Sequence, residues 1–94
     1  MEDTMKIDVY EPYARSKTGK VMHFDVFVKT GTTEDKAFEY GRKWLTEIGE
    51  SADNLTQSNC NFCHSEMANP VVQKTIQQDG YFILEMENCP HPIR

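Results

Sequence analysis

The chain has 94 residues, ten Lys plus Arg against fifteen Asp plus Glu, and a formal net charge of −5. That length fits one domain, and 38% hydrophobic with 27% charged residues is the composition of a folded chain, not a disordered one. The acidic balance, with no basic run longer than two residues, argues against nucleic-acid binding, and three cysteines are too few for a disulfide framework.

The start, Met1-Glu2-Asp3-Thr4, is acidic and polar, unlike a secretory signal. No apolar stretch approaches the ~20 residues needed to cross a bilayer. The expected location is therefore the cytoplasm, where thiols stay reduced.

Met5 to Tyr10 alternates apolar Met5, Ile7 and Val9 with Lys6, Asp8 and Tyr10, the period of a half-buried strand. Val21 to Val28 repeats the pattern, with Met22, Phe24, Val26 and Val28 on one side. Ser16-Lys17-Thr18-Gly19 between them reads as a turn, so the two strands form a hairpin. A four-residue loop pairs Arg15 with Lys20 and Tyr10 with Asp25. That register groups Ile7 and Val9 with Phe24 and Val26, and Asp8, Tyr10, His23 and Asp25 on the other face.

Thr32 is the expected N-cap of a first helix, with acidic Glu34 and Asp35 in its first turn. Ala37, Phe38, Gly41, Trp44, Leu45 and Ile48 form one apolar stripe, and Gly49 ends it. Gly41 within the stripe suggests a close approach to the sheet. Leu55 to Ser58 reads weakly as an edge strand. Asn69-Pro70 reads as N-cap and first position of a second helix, and Gly80 ends it. Tyr81 to Met86 is nearly all apolar and is expected to be a central strand. The expected fold is α+β: a two-layer sandwich with a three- to four-stranded mixed sheet and both helices on one face. Residues 1–94 make one domain, with 1–4 and 90–94 as flexible ends.

Cys60-Asn61-Phe62-Cys63-His64 is the most specific local signal. Cys-x-x-Cys brings two thiolates within reach of one ion or of each other, and Cys89 and His91 add donors downstream. Cys60, Cys63 and Cys89 with His64 or His91 would complete a tetrahedral zinc site. Reduced, buried cysteines are an equal reading. Thiol redox chemistry at Cys60 and Cys63 and haem attachment through Cys-x-x-Cys-His are the remaining ones. On the hairpin, His23, Asp25 and Tyr10 are a weaker acid–base set, outweighed by a plain polar ladder. No phosphate-binding glycine loop, Gly-x-Ser-x-Gly or His-Glu-x-x-His is present, so the sequence leans away from an enzyme.

Taken together, M-K-I-D-V-Y, V-M-H-F-D-V, W-L-T-E-I-G, C-N-F-C-H-S-E and G-Y-F-I-L-E-M-E-N-C resemble a small bacterial family of uncharacterised proteins, the domain-of-unknown-function family numbered 2024. The resemblance runs from Met5 to Cys89. It implies an α+β domain and no assigned activity. It also implies Cys60, Cys63, His64 and Cys89 as the family's positions, and so favours His64 over His91 as a fourth donor. The expectation is a small binding or interaction module with a thiol-rich site suited to structural zinc. The alternative is a thiol-dependent redox enzyme or sensor using Cys60 and Cys63. Its partner is a protein or small molecule, with no nucleic acid and no membrane, and the chain is a monomer or homodimer.

Overall fold

The computed structural model describes residues 5–56 and 60–87. The hairpin comprises β1 (Lys6–Arg15) and β2 (Val21–Lys29), followed by helix α1 (Glu34–Glu47). A 3-10 turn at Ala52–Asn54 leads to β3 (Cys60–Met67), α2 (Pro70–Asp79) and β4 (Tyr81–Glu87). The sheet order is β3-β1-β2-β4, and each neighbouring pair is antiparallel. The α+β class, the initial hairpin and the strand at Tyr81–Glu87 agree with the sequence reading, whereas the strand at Cys60–Met67 is not among the expected elements. The sheet is not mixed, because strands that run the same way, β2 with β3 and β1 with β4, are never neighbours. The expected flexible ends lie outside the described residues.

The hairpin register differs from expectation by one residue. Tyr10 faces Val26, not Asp25, and Arg15 faces Val21. The connection is shorter than it reads. The Ser16 N–H bonds the Lys20 carbonyl at 2.7 Å, and the Gly19 N–H bonds the Ser16 carbonyl at 2.9 Å. Ser16 and Lys20 therefore close a three-residue loop, a common hairpin connection.

This register gives the sheet two apolar faces. Tyr10, Met22, Phe24, Val26 and Val28 pack with Ala37, Trp44 and Leu45 of α1. Ile7, Val9 and Phe27 pack with Val72 and Ile76 of α2. Residues that face one another across a ladder share a side, and successive residues alternate. The two helices therefore cover opposite faces, which corrects the expectation that they share one. Phe27, read as outward, is in fact core, and Ile7 and Val9, expected on the face of Phe24 and Val26, lie beside it instead, facing the second helix.

Two local features fix the helices. Gly41 makes room for Leu55, since a Cβ there would come within 2.9 Å of Leu55 Cδ2 but would meet Phe24 and Val26 of the sheet at ordinary contact distances of 3.7 and 3.8 Å. The Phe24 and Trp44 rings meet at 4.5 Å. The N-cap of α1 is Thr33, one residue beyond the expected Thr32, and its side chain accepts from the Lys36 N–H at 3.2 Å. The second helix starts and stops as the sequence indicates. Asn69 Oδ1 accepts from the Val72 N–H at 2.9 Å, Pro70 follows, and Gly80 closes the helix.

β4 lies at an edge, not the centre. Its continuous apolar character has another cause. Tyr81 belongs to the core beneath α1, and Phe82 packs against the core beneath α2. An edge strand covered on both faces reads like a central one. The opposite edge, β3, has the reverse character: beyond Cys60 its residues are exposed. The weak strand expected at 55–58 does not begin at Leu55, which is buried against α1 after the 3-10 turn. Residues 57 and 58 lie outside the described residues.

Candidate functional site

β3 carries the Cys-x-x-Cys-His segment as a strand against β1. Cys60 faces Pro12, Asn61 faces Glu11 and Phe62 faces Tyr10. His64 then faces Val9, so the register shifts and Cys63 has no partner of its own. That extra residue is a β-bulge, which turns side chains away from simple alternation.

The bulge sets the fate of the two cysteines. Cys60 is fully buried in the α1-side core, whereas Cys63 is exposed on the other face. Burial, with Glu34 nearby, pushes the Cys60 thiol up to about 11. Cys63 sits beside Glu11, Asp25, His64 and Glu66. The structure thus sends the two thiols to opposite sides of the sheet. Cys89 lies outside the described residues, and β4, the strand that leads to it, is at the edge opposite β3. Among the described residues, no group of three or more His, Cys, Asp or Glu is arranged to hold a metal ion.

Cys63, His64 and Glu66 form a hydrogen-bonded chain. His64 Nδ1 lies 3.2 Å from Cys63 Sγ, and His64 Nε2 lies 2.7 Å from Glu66 Oε1. A carboxylate only accepts, so the Nε2 proton points to Glu66. In the neutral ring Nδ1 is then free to accept from the thiol. Glu11 is a second acceptor for the same S–H. Loss of water against the sheet, the Glu11 hydrogen bond and the charges of Glu11, Asp25 and Glu66 all raise the thiol above its ordinary value. The resting site therefore holds a protonated thiol.

Asp25 adds the cluster's main electrostatic tension. The register places it on the α2-side face of β2, next to Leu84 of β4. Its Oδ1 is sealed from solvent and has no hydrogen-bond partner among the described residues. Burial raises its pKa to about 6, Glu11 and Glu66 add to the rise, and His64 partly offsets it. Among the described residues, the cluster is rich in acceptors and short of positive charge.

Among the described residues, helix α2 covers one end of this face, over Ile7, Val9, Phe27 and Phe82. Beyond it the surface carries the thiol chain together with Tyr13 and Leu84, which are 41% and 42% exposed. The Tyr13 ring lies 6.1 Å from His23. Of the acid–base set read from the hairpin, His23 and Asp25 share this face. Tyr10 does not: it is buried on the α1 side, edge-on to Phe62 at 5.6 Å. Glu11 and Glu66 were invisible as site residues in the sequence. Only the hairpin register and the bulge bring them to Cys63.

A family model described as a domain of unknown function, DUF2024, matches residues 5–86. No curated protein matches the chain. The chain is similar to the protein NE1680 from Nitrosomonas europaea, whose NMR structure was a structural-genomics target. The two share 47% identity with a TM-score of 0.80, over 90% of this chain and 99% of that one. Among the described residues, no helix is long and apolar enough to cross a membrane. With its family model covering both the hairpin and the bulged cysteine strand, the chain belongs to the DUF2024 family.

Proposed function

We propose that this protein is a small binding module, and that its ligand face is the part of the sheet beyond α2. One observation carries the reading. A thiol, an imidazole and three carboxylates (Cys63, His64, Glu11, Asp25, Glu66) converge on a sheet face that no described helix covers, flanked by exposed Tyr13 and Leu84. Surfaces that combine apolar groups with convergent, perturbed titratable groups favour binding. The excess of carboxylates selects a cationic ligand. The positions of Cys60 and Cys63 weigh against the two-thiol alternative, since a disulfide or a shared zinc ion would require β3 to be rebuilt.

The test is a titration of isotope-labelled protein with spermidine, a trication. Amide shifts should concentrate at Glu11, Tyr13, Asp25, Cys63, His64 and Glu66, and should vanish in a Glu11→Gln, Glu66→Gln double variant. Shifts confined to the α1 side, or spread over the acidic surface and unaltered by the double variant, would overturn the reading.

A further inference from the structure

Resting on that binding face, we infer that Cys63 is a thiol–disulfide exchange site selective for small amine-bearing disulfides. Three features of the site point there. The thiol is exposed and sits 3.2 Å from an imidazole nitrogen that can take its proton. The imidazole is itself held at 2.7 Å by Glu66, the nucleophile–base–orienter order of a thiol site. The surrounding carboxylates of Glu11, Asp25 and Glu66 oppose a bare thiolate and repel anionic reactants. An ammonium group on the incoming disulfide removes both obstacles at once, since it offsets the charges of Glu11, Asp25 and Glu66.

The chemistry balances without a further reactant. Cys63 Sγ passes its proton to His64 Nδ1 and attacks one sulfur of the disulfide. The S–S bond of the reactant breaks, and a mixed disulfide with Cys63 forms. The departing thiolate takes the proton from His64 and leaves as a free thiol. The Cys63 sulfur is oxidised, and the released half is reduced. Cys60 cannot resolve the product internally, because it is buried on the other side of β3. The mixed disulfide should therefore persist until an external thiol removes it.

The experiment uses the full chain carrying Cys89→Ser, so that the only other thiol is buried Cys60. Three disulfides of similar size are compared at pH 7.5: dicationic cystamine, neutral bis(2-hydroxyethyl) disulfide and dianionic dithiodiglycolate. Adduct formation is followed by mass spectrometry. Each rate is divided by that of N-acetylcysteinamide with the same reagent, which removes intrinsic reactivity. The normalised rates should fall in the order cation, neutral, anion. Cystamine should lead dithiodiglycolate by about tenfold or more at low salt, and the spread should collapse in 1 M NaCl, where the screening length is about 3 Å. Glu11→Gln should narrow the spread, and His64→Ala should slow all three reagents. Equal normalised rates, the reverse order, or an adduct on Cys60 would overturn the inference. If the order fails while spermidine still perturbs this face, exchange is lost and the binding reading stands. If spermidine leaves the face untouched, the binding reading falls on its own evidence.

Discussion

Cys63 Sγ and His64 Nδ1 lie 3.2 Å apart, although the residues are chain neighbours on a strand. In a regular strand their side chains would leave from opposite faces. The bulge between the Tyr10–Phe62 and Val9–His64 pairs cancels that alternation. A single extra residue thus converts a Cys-His dipeptide into a thiol–imidazole contact, and sends Cys60 and Cys63 to different environments.

The first expectation concerns thiol reactivity. In the native chain iodoacetamide should modify Cys63 and leave Cys60 untouched, because Cys60 is buried and its thiol is raised to about 11. The Cys63 rate should rise with pH through an inflection above that of a free thiol measured alongside, since its surroundings favour the protonated form. Glu11→Gln removes a hydrogen-bond acceptor charge and should move the inflection down. A wild-type inflection below that of the free thiol would contradict the electrostatics of the site.

A second expectation follows from the two-sided sheet. Ile76→Ala should cost about 2–4 kcal/mol, and Phe24→Ala about 3–5 kcal/mol. Their effects on Trp44 should differ. Phe24 touches Trp44 at 4.5 Å between ring centroids, so its loss should shift the native emission spectrum. Ile76 lies beneath α2 on the opposite face, so its loss should leave that spectrum unchanged while lowering the urea midpoint. A native spectrum altered by Ile76→Ala would mean the two cores are coupled.

What the sequence made legible was local. Asn69-Pro70 and Gly80 delimit α2 by chemistry confined to a few residues, and the α1 stripe from Ala37 to Ile48 shows its period directly. What escaped was long-range. Choosing between Tyr10–Val26 and Tyr10–Asp25 depends on a helix that begins at Pro70, 44 residues downstream of Val26, and covers the second face. Without that cover Val9 and Phe27 had no reason to share a face. The strand at Cys60–Met67 escaped for the opposite reason: almost none of it is buried, so it shows no apolar alternation. The thiol chain depends on both, and so only its Cys63 and His64 members could be named in advance.

A third expectation tests the turn between α2 and β4. Gly80 has φ +94°, and a Cβ there would lie 2.7 Å from Tyr40 Oη. Gly80→Ala therefore meets a backbone cost and a side-chain clash, and should lose about 2 kcal/mol. The Tyr40 ring is stacked on Tyr81 at 4.5 Å, which limits its retreat. In a Tyr40→Phe background, without the nearest atom, the same substitution should cost measurably less in urea unfolding. Equal losses in both backgrounds would place the whole penalty in the backbone.

The last expectation turns Asp25 into a stability measurement. Its folded-state pKa is about 6, against about 4 for an ordinary aspartate, so the folded chain holds this proton more tightly than the unfolded one. The stabilising effect of that proton is complete below the unfolded value and is lost as pH rises through the folded value. Asp25 thus contributes a fall in stability between about pH 4 and pH 6. At pH 7.5 the carboxylate is ionised, half-buried, beside Glu11, and has an oxygen without a partner among the described residues. Asn has nearly the same shape and no charge. Asp25→Asn should therefore stabilise the protein at pH 7.5 by about 1 kcal/mol, after allowing for solvent screening. It should also flatten the wild-type slope between pH 4 and pH 6. Urea titrations of both proteins across that range provide the comparison. A variant less stable than wild type at pH 7.5 would show that the Asp25 carboxylate has a favourable partner in solution, and so that this part of the face is not short of positive charge.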